Sequence, residues 1–143
     1  MPLRIAVVIL FIACPAICLA DAGNSFREYW SIFRAAVLVN DQEKVASMTR
    51  FPFEVRGVTD SDPTVRYGRD EFLPVYNQLV AQEVLFYMNG KVTAKTMLQV
   101  IRDNIEIPAK SYVTKSFVRV ELFEFKRERG KWFFTAGYLE EQQ

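Results

Sequence analysis

Polar and apolar positions alternate most clearly over residues 111–139. From Tyr112 to Phe125 nearly every residue is β-branched, aromatic or charged, with no Gly or Pro. Such residues suit a pleated, half-buried surface. Val118, Val120 and Leu122 fall on one face, and Phe117, Arg119, Glu121, Phe123 and Phe125 on the other. A polar turn follows at 126–130, where Gly130 offers a positive-φ position. The return run is 131–139. A first strand of roughly 14 residues would span about 45 Å. Typical strands have about 5–6 residues, so this one must twist, bend or carry a bulge. The pattern predicts a curved antiparallel sheet whose concave side is filled by helices upstream.

Ser25 to Val39 reads as the first of these. Ser25 and Glu28 form a capping-box pattern, and Phe26, Tyr29, Trp30, Phe33, Ala36 and Val37 make one helical stripe. Asn40, with Glu43 three residues on, predicts the cap of a second helix that buries Val45 and Met48. Phe51, Phe53 and Val55 alternate with Pro52, Glu54 and Arg56, a short strand that Pro52 confines to an edge or to its first residues. A turn cluster at 59–63 and Val65-Arg66-Tyr67 complete a hairpin. A third helix runs from Asp70 to Ala81 on Phe72, Val75, Tyr76, Leu79 and Val80, starting near Asp70 so that Pro74 stays in the first turn. Residues 83–89 fit either a continuation of that helix or a strand. Thr93 is the expected cap of a fourth helix, 94–101. A short strand is expected at 104–107, ended by Pro108.

The first 22 residues change the accounting. Arg4 is their only charge before Asp21, Ile5–Ile12 is unbroken and apolar, and Ala20 and Ala22 sit where a peptidase needs small residues. This is the layout of a secretory signal peptide, and the run is short for a membrane span. Residues 1–22 are therefore expected to be a signal peptide and 23–143 one exported domain, periplasmic or secreted, that touches a membrane only through that segment. Cys14 and Cys18 both lie within it, so the remaining chain has no disulfide, thiolate nucleophile or thiolate metal site. A net charge of +1 gives no basic bias toward nucleic acid.

Two helices, a hairpin, a third helix and long antiparallel strands make an α+β order. This order, the opening Phe26-Arg27-Glu28-Tyr29-Trp30 and the segment Phe51-Pro52-Phe53-Glu54-Val55-Arg56-Gly57 resemble the NTF2-like superfamily. The resemblance covers about residues 25–140 and is nearest to small exported bacterial members without assigned activity. It implies a curved sheet wrapped around the N-terminal helices as a cone. Residues 82–103 depart from it, because such folds run from the third helix straight into the sheet.

The chain contains no histidine, which removes Ser–His and Cys–His pairs, a His base and imidazole metal sites. No catalytic residue, metal ligand or cofactor is assigned. Asp60-Ser61-Asp62 fails the calcium-loop spacing at Pro63 and reads as a turn. Enzymes similar to ketosteroid isomerase imply an inward carboxyl of raised pKa beside a tyrosine. Asp103 and Glu121, with Tyr29, Tyr67 and Tyr138 as donors, are the residues that would have to supply it; cap, salt-bridge and core-edge roles are the plainer readings. Arg56, with Arg66 and Arg69 nearby, is placed to receive an anion, against pairing with Asp60, Asp62 and Asp70. Trp30, Phe33, Phe53, Phe117, Phe123, Trp132 and Phe134 either line a cavity or form the core. The expected ligand set is Tyr29, Trp30, Phe33, Phe53, Arg56, Tyr67, Arg119, Glu121 and Trp132, holding a small apolar or amphipathic molecule in the cone. The competing reading is a homodimer or other protein contact through the outer sheet face. An isomerase- or dehydratase-like enzyme is the third.

Overall fold

The computed structural model describes residues 25–140; the segment 1–22, expected to be a signal peptide, lies outside them. The described chain is α+β. Helix α1 spans Phe26–Leu38 and α2 spans Gln42–Ser47, followed by strands β1 (Thr49–Arg56) and β2 (Val65–Tyr67). Helix α3 (Arg69–Ala81) leads into β3 (Glu83–Met88), β4 (Lys91–Thr96) and α4 (Met97–Asp103). Strands β5 (Tyr112–Val113), β6 (Phe117–Val120), β7 (Phe123–Glu128) and β8 (Lys131–Tyr138) complete it. Six strands form one curved sheet in the order β2-β1-β8-β7-β6-β5, and β3-β4 form a separate ribbon. The main sheet is mixed rather than purely antiparallel, because β1 runs parallel to β8.

The stripe of α1 is buried at all six expected positions. Ser25 Oγ accepts the Glu28 N–H, so its hydroxyl satisfies one of the orphan donors of the first turn. Asn40 does not cap α2. It takes a left-handed φ of 55° and ends α1, a role Asn tolerates, while Asp41 Oδ1 accepts the Lys44 N–H as the true cap. The fourth helix begins later than expected. Thr96 and Gln99 complete a reciprocal capping box, which Thr93 cannot, so residues 91–96 are strand. No strand forms at 104–107: Asn104 turns its side-chain amide back onto the Val100 carbonyl at 2.8 Å and finishes α4. Residues 83–89 are strand and turn, closed by Asn89 and Gly90, both at positive φ, as a two-residue hairpin requires.

The long strand expected at 112–125 is three strands. Glu121, at φ 49°, and Leu122 make a two-residue turn between Val120 and Phe123. That turn pairs Val120 with Phe123, so the face is preserved across it. Val118, Val120, Phe123 and Phe125 therefore all bury on one side, not on two. The chain shortens the strand by folding it back, which relieves the length that a single strand would have imposed.

Pro52 lies in an internal strand, not at an edge. The β1–β8 register shifts between Thr49 and Glu54, and β2 reaches only to Phe53, so Pro52 is asked for no ladder bond on either side. Pro74 sits in the second turn of α3, since that helix starts at Arg69.

Phe33 of α1 is the centre of the core. Its ring stands edge-on to Phe125, Phe134 and Phe123 at centroid distances of 5.2, 5.3 and 6.4 Å. Such arrangements suit the ring quadrupoles and add to burial. Phe72 of α3 packs on Phe53 at 5.1 Å and extends the cluster to β1. Gly137 of β8 faces the same side. A Cβ there would lie 2.6 Å from Leu79 Cδ2, and Leu79 is fully buried. Gly137→Ala is therefore expected to destabilise the fold by about 1–3 kcal/mol through overpacking. Urea unfolding measures it, and pairing the change with Leu79→Ala should give a non-additive cost.

Candidate functional site

The register of the six strands aligns one row across the outer sheet face: Arg66, Glu54, Ala136, Glu124, Arg119 and Tyr112. Arg56 and Tyr138 are paired in the next outward row. Ala136 is small and almost fully buried, so the two carboxylates beside it meet above its methyl group. Arg56 bridges them. Its Nη2 donates to Glu54 Oε2 at 2.7 Å and its Nη1 to Glu124 Oε2 at 2.8 Å. Tyr138 Oη donates to Glu124 Oε1 at 2.6 Å, and Arg56 Nη1 also reaches Tyr138 Oη at 3.3 Å. The Arg119 guanidinium lies 4.2 Å from the centre of the Tyr138 ring, a cation–π distance.

Glu124 is the unusual member, with a side chain only 4% exposed. An ionised carboxylate at that depth needs its partners. Burial acts against the Arg56 charge, but hydrogen bonds to Glu54 and Tyr138 and the charge of Glu124 outweigh it and hold the guanidinium pKa above its ordinary value. The Arg56 hydrogen bond also holds the Glu54 carboxyl below its ordinary value.

Two open depressions flank this cluster, separated by the 57–64 loop. The larger, of about 650 Å³, has an apolar wall of Val55, Val65, Pro63, Ala81 and Leu139 and the amides of Asn77, Gln78 and Gln82. The smaller, of about 390 Å³, is lined by Arg56, Arg119, Tyr138 and the loop. Arg56, Gly57 and Asp62 border both. Gly57 is required there: Asp62 crosses so close that any Cβ would collide with its side chain. Asp62 itself accepts the Thr59 N–H at 2.9 Å, the expected turn rather than a cation loop.

The sequence-predicted ligand set divides between these surfaces and the core. Trp30, Phe33, Phe53 and Trp132 are buried and packed on one another or on neighbouring rings, so they form core rather than cavity wall. Phe123 and Phe134 join them, while Phe117 is half-buried against Tyr112. Tyr29 is buried too. Its hydroxyl donates to the Met48 carbonyl at 2.9 Å, and burial pushes its pKa well up. Arg56 and Tyr67 border the larger cleft; Arg56 and Arg119 border the smaller.

The two carboxylates singled out beforehand take neither catalytic position. Glu121 occupies the β6–β7 turn, where its backbone carbonyl accepts from Arg119. Asp103 is exposed, and a hydrogen bond from Lys95 at 2.9 Å holds its pKa below the ordinary range, the opposite of what an acid–base carboxyl needs. Arg56 pairs with Glu54 and Glu124 instead of the loop aspartates. Arg66 also reaches Glu54, at 3.4 Å, and Arg69 pairs with Glu43. The carboxylate pair that does form, Glu54 and Glu124, was missed. Phe123-Glu124-Phe125 held a signal, because an acid between two buried rings must be accounted for on the opposite face.

Removing one partner from a buried pair is worse than removing both. Arg56→Met is expected to cost about 3 kcal/mol by stranding Glu124, and Arg56→Met with Glu124→Leu should recover much of it. Chemical denaturation of the two variants checks this. Because the folded pKa of Glu54 is depressed, its stabilisation is complete above the ordinary value of 4.5 and is lost as pH falls below it. Thermal melts across that range should decline less steeply for Glu54→Gln than for the unaltered protein. No family model, curated protein or solved structure matches this chain.

Proposed function

We propose that this chain is an exported, non-enzymatic binding module of NTF2-like cone architecture that holds a small amphipathic ligand. The observation that carries the reading is the cleft of about 650 Å³ beside Arg56. Its apolar wall and converging side-chain amides have the composition expected of a small-molecule site. The site lies at the β1–β2 hairpin and the end of α3, outside the aromatic interior, since the interior rings fill the space between helices and sheet. Arg56 is held by two carboxylates and Asn77 Oδ1 already accepts from Gln42 at 3.1 Å, so the side-chain amides of Gln78 and Gln82 are the polar groups that would orient the ligand. Val55, Val65 and Leu139 would cover its apolar part. The ionic cluster serves as a rigid floor, holding β1 and β8 in register at one end of the cleft.

Export rests on the pattern of residues 1–22, and mass analysis of the exported protein should find it beginning at Asp21 or Gly23. The same preparation tests the ligand. Native mass spectrometry of protein purified from its own host is expected to show an added small-molecule mass that is lost on denaturation. Ala81→Trp, a change on an exposed helix end that fills the cleft, should abolish that mass and leave the fold intact. An added mass that survives in Ala81→Trp would sink this assignment of the site.

A further inference from the structure

The β3–β4 ribbon carries an apolar face that nothing in the described chain covers. Its register pairs Leu85 with Ala94 and Tyr87 with Val92, so these four side chains share one face. Leu85, Tyr87 and Val92 are 70%, 71% and 62% exposed. The opposite face turns Val84 and Phe86 toward the core. No described strand pairs with either outer edge of the ribbon. An isolated two-stranded ribbon is marginal in water, and a sheet face this apolar calls for a second layer.

We infer that the second layer is the same ribbon of another copy, packed face to face about a twofold axis. Charge argues for this occupant over a lipid surface. Lys91 and Lys95 pair in register with Met88 and Val84, so they lie on the other face, and Lys95 is tied to Asp103. The one charged residue on the exposed face is Glu83, at its base opposite Thr96, and the face offers nothing cationic to an anionic membrane. An apolar face matches itself, with Glu83 left at its rim, and a twofold contact needs only self-complementarity. Area sets the strength. The face presents on the order of 400 Å² of apolar surface, within the range of the largest single patch on a monomer. Two copies would bury roughly 800 Å² in total, the scale of a weak, transient contact. The dimer is therefore weak and concentration-dependent, and Tyr87 meets its symmetry mate or Leu85 across the interface.

Analytical ultracentrifugation over a dilution series tests it. The unaltered protein should approach twice the monomer mass at roughly 100 µM and return to monomer on dilution. The double variant L85K/Y87K should weaken association at least tenfold, with an unchanged circular dichroism spectrum. Ile105→Lys alters an equally exposed residue outside the ribbon, and should associate normally. Concentration-dependent slowing of amide exchange in 84–94 would add direct support. A protein that stays monomeric throughout overturns the inference, as does an L85K/Y87K variant that dimerises like the parent. Sedimentation of a monomeric protein with phosphatidylcholine–phosphatidylserine vesicles would give the face to lipid and overturn it equally. None of these outcomes bears on the cleft.

Discussion

Two small residues in succession, Ala136 and Gly137, set the terms on which β8 serves both faces of the sheet. Gly137 points inward and leaves room for Leu79, so α3 can approach the strand closely. Ala136 points outward and leaves room for Glu54 and Glu124 to converge over it. Larger side chains at either position would force a helix off the sheet or the carboxylates apart. The central strand is thus thin where its neighbours are bulky, and interiors packed at crystal-like density transmit such differences.

The ionic cluster is an expensive solution. Desolvating Glu124 costs several kcal/mol before any partner is added, and an apolar replacement of similar volume often does as well or better. What the cluster contributes is geometry. A guanidinium fork fixed by two carboxylates and a phenol allows only one relative placement of β1, β8 and β7. β1 and β8 run parallel with an irregular register, the pairing most in need of such a constraint. The cleft lies against that junction, and a binding surface built on a pinned junction is more rigid than one built on the loop alone.

The two surfaces of interest are also separated by chemistry. The outer face of the main sheet carries alternating charge, while contiguous apolar exposure is found on the ribbon. The fold therefore keeps its ligand-sized concavity away from the apolar face of the ribbon.

Local periodicity was enough to read much of this fold. The α1 stripe, the α3 stripe and the β1–β2 hairpin follow from spacings of 3.6 and 2, which a single element expresses by itself. Asn89-Gly90 and the pair Thr96–Gln99 carried the signals of a hairpin turn and a capping box that were missed, because the apolar run before them resembled a helix extension and Thr93 stood as the expected cap. Alternation read as one strand hid the turn at Glu121: the two-residue loop keeps the buried face but shifts its phase by one residue, so Phe123 and Phe125 read as the face opposite Val118 and Val120. Nor could it choose between core and cavity for Trp30, Phe33 and Trp132, since a ring facing inward has the same spacing either way. Arg56, Tyr67 and Arg119 were legible as site residues, but their partners were not. Arg56 and Glu124 stand 68 residues apart, and neither periodicity relates them. Only strand order and the parallel β1–β8 register bring them over Ala136, because hydrogen-bond ladders, not spacing along the chain, decide which side chains share a row.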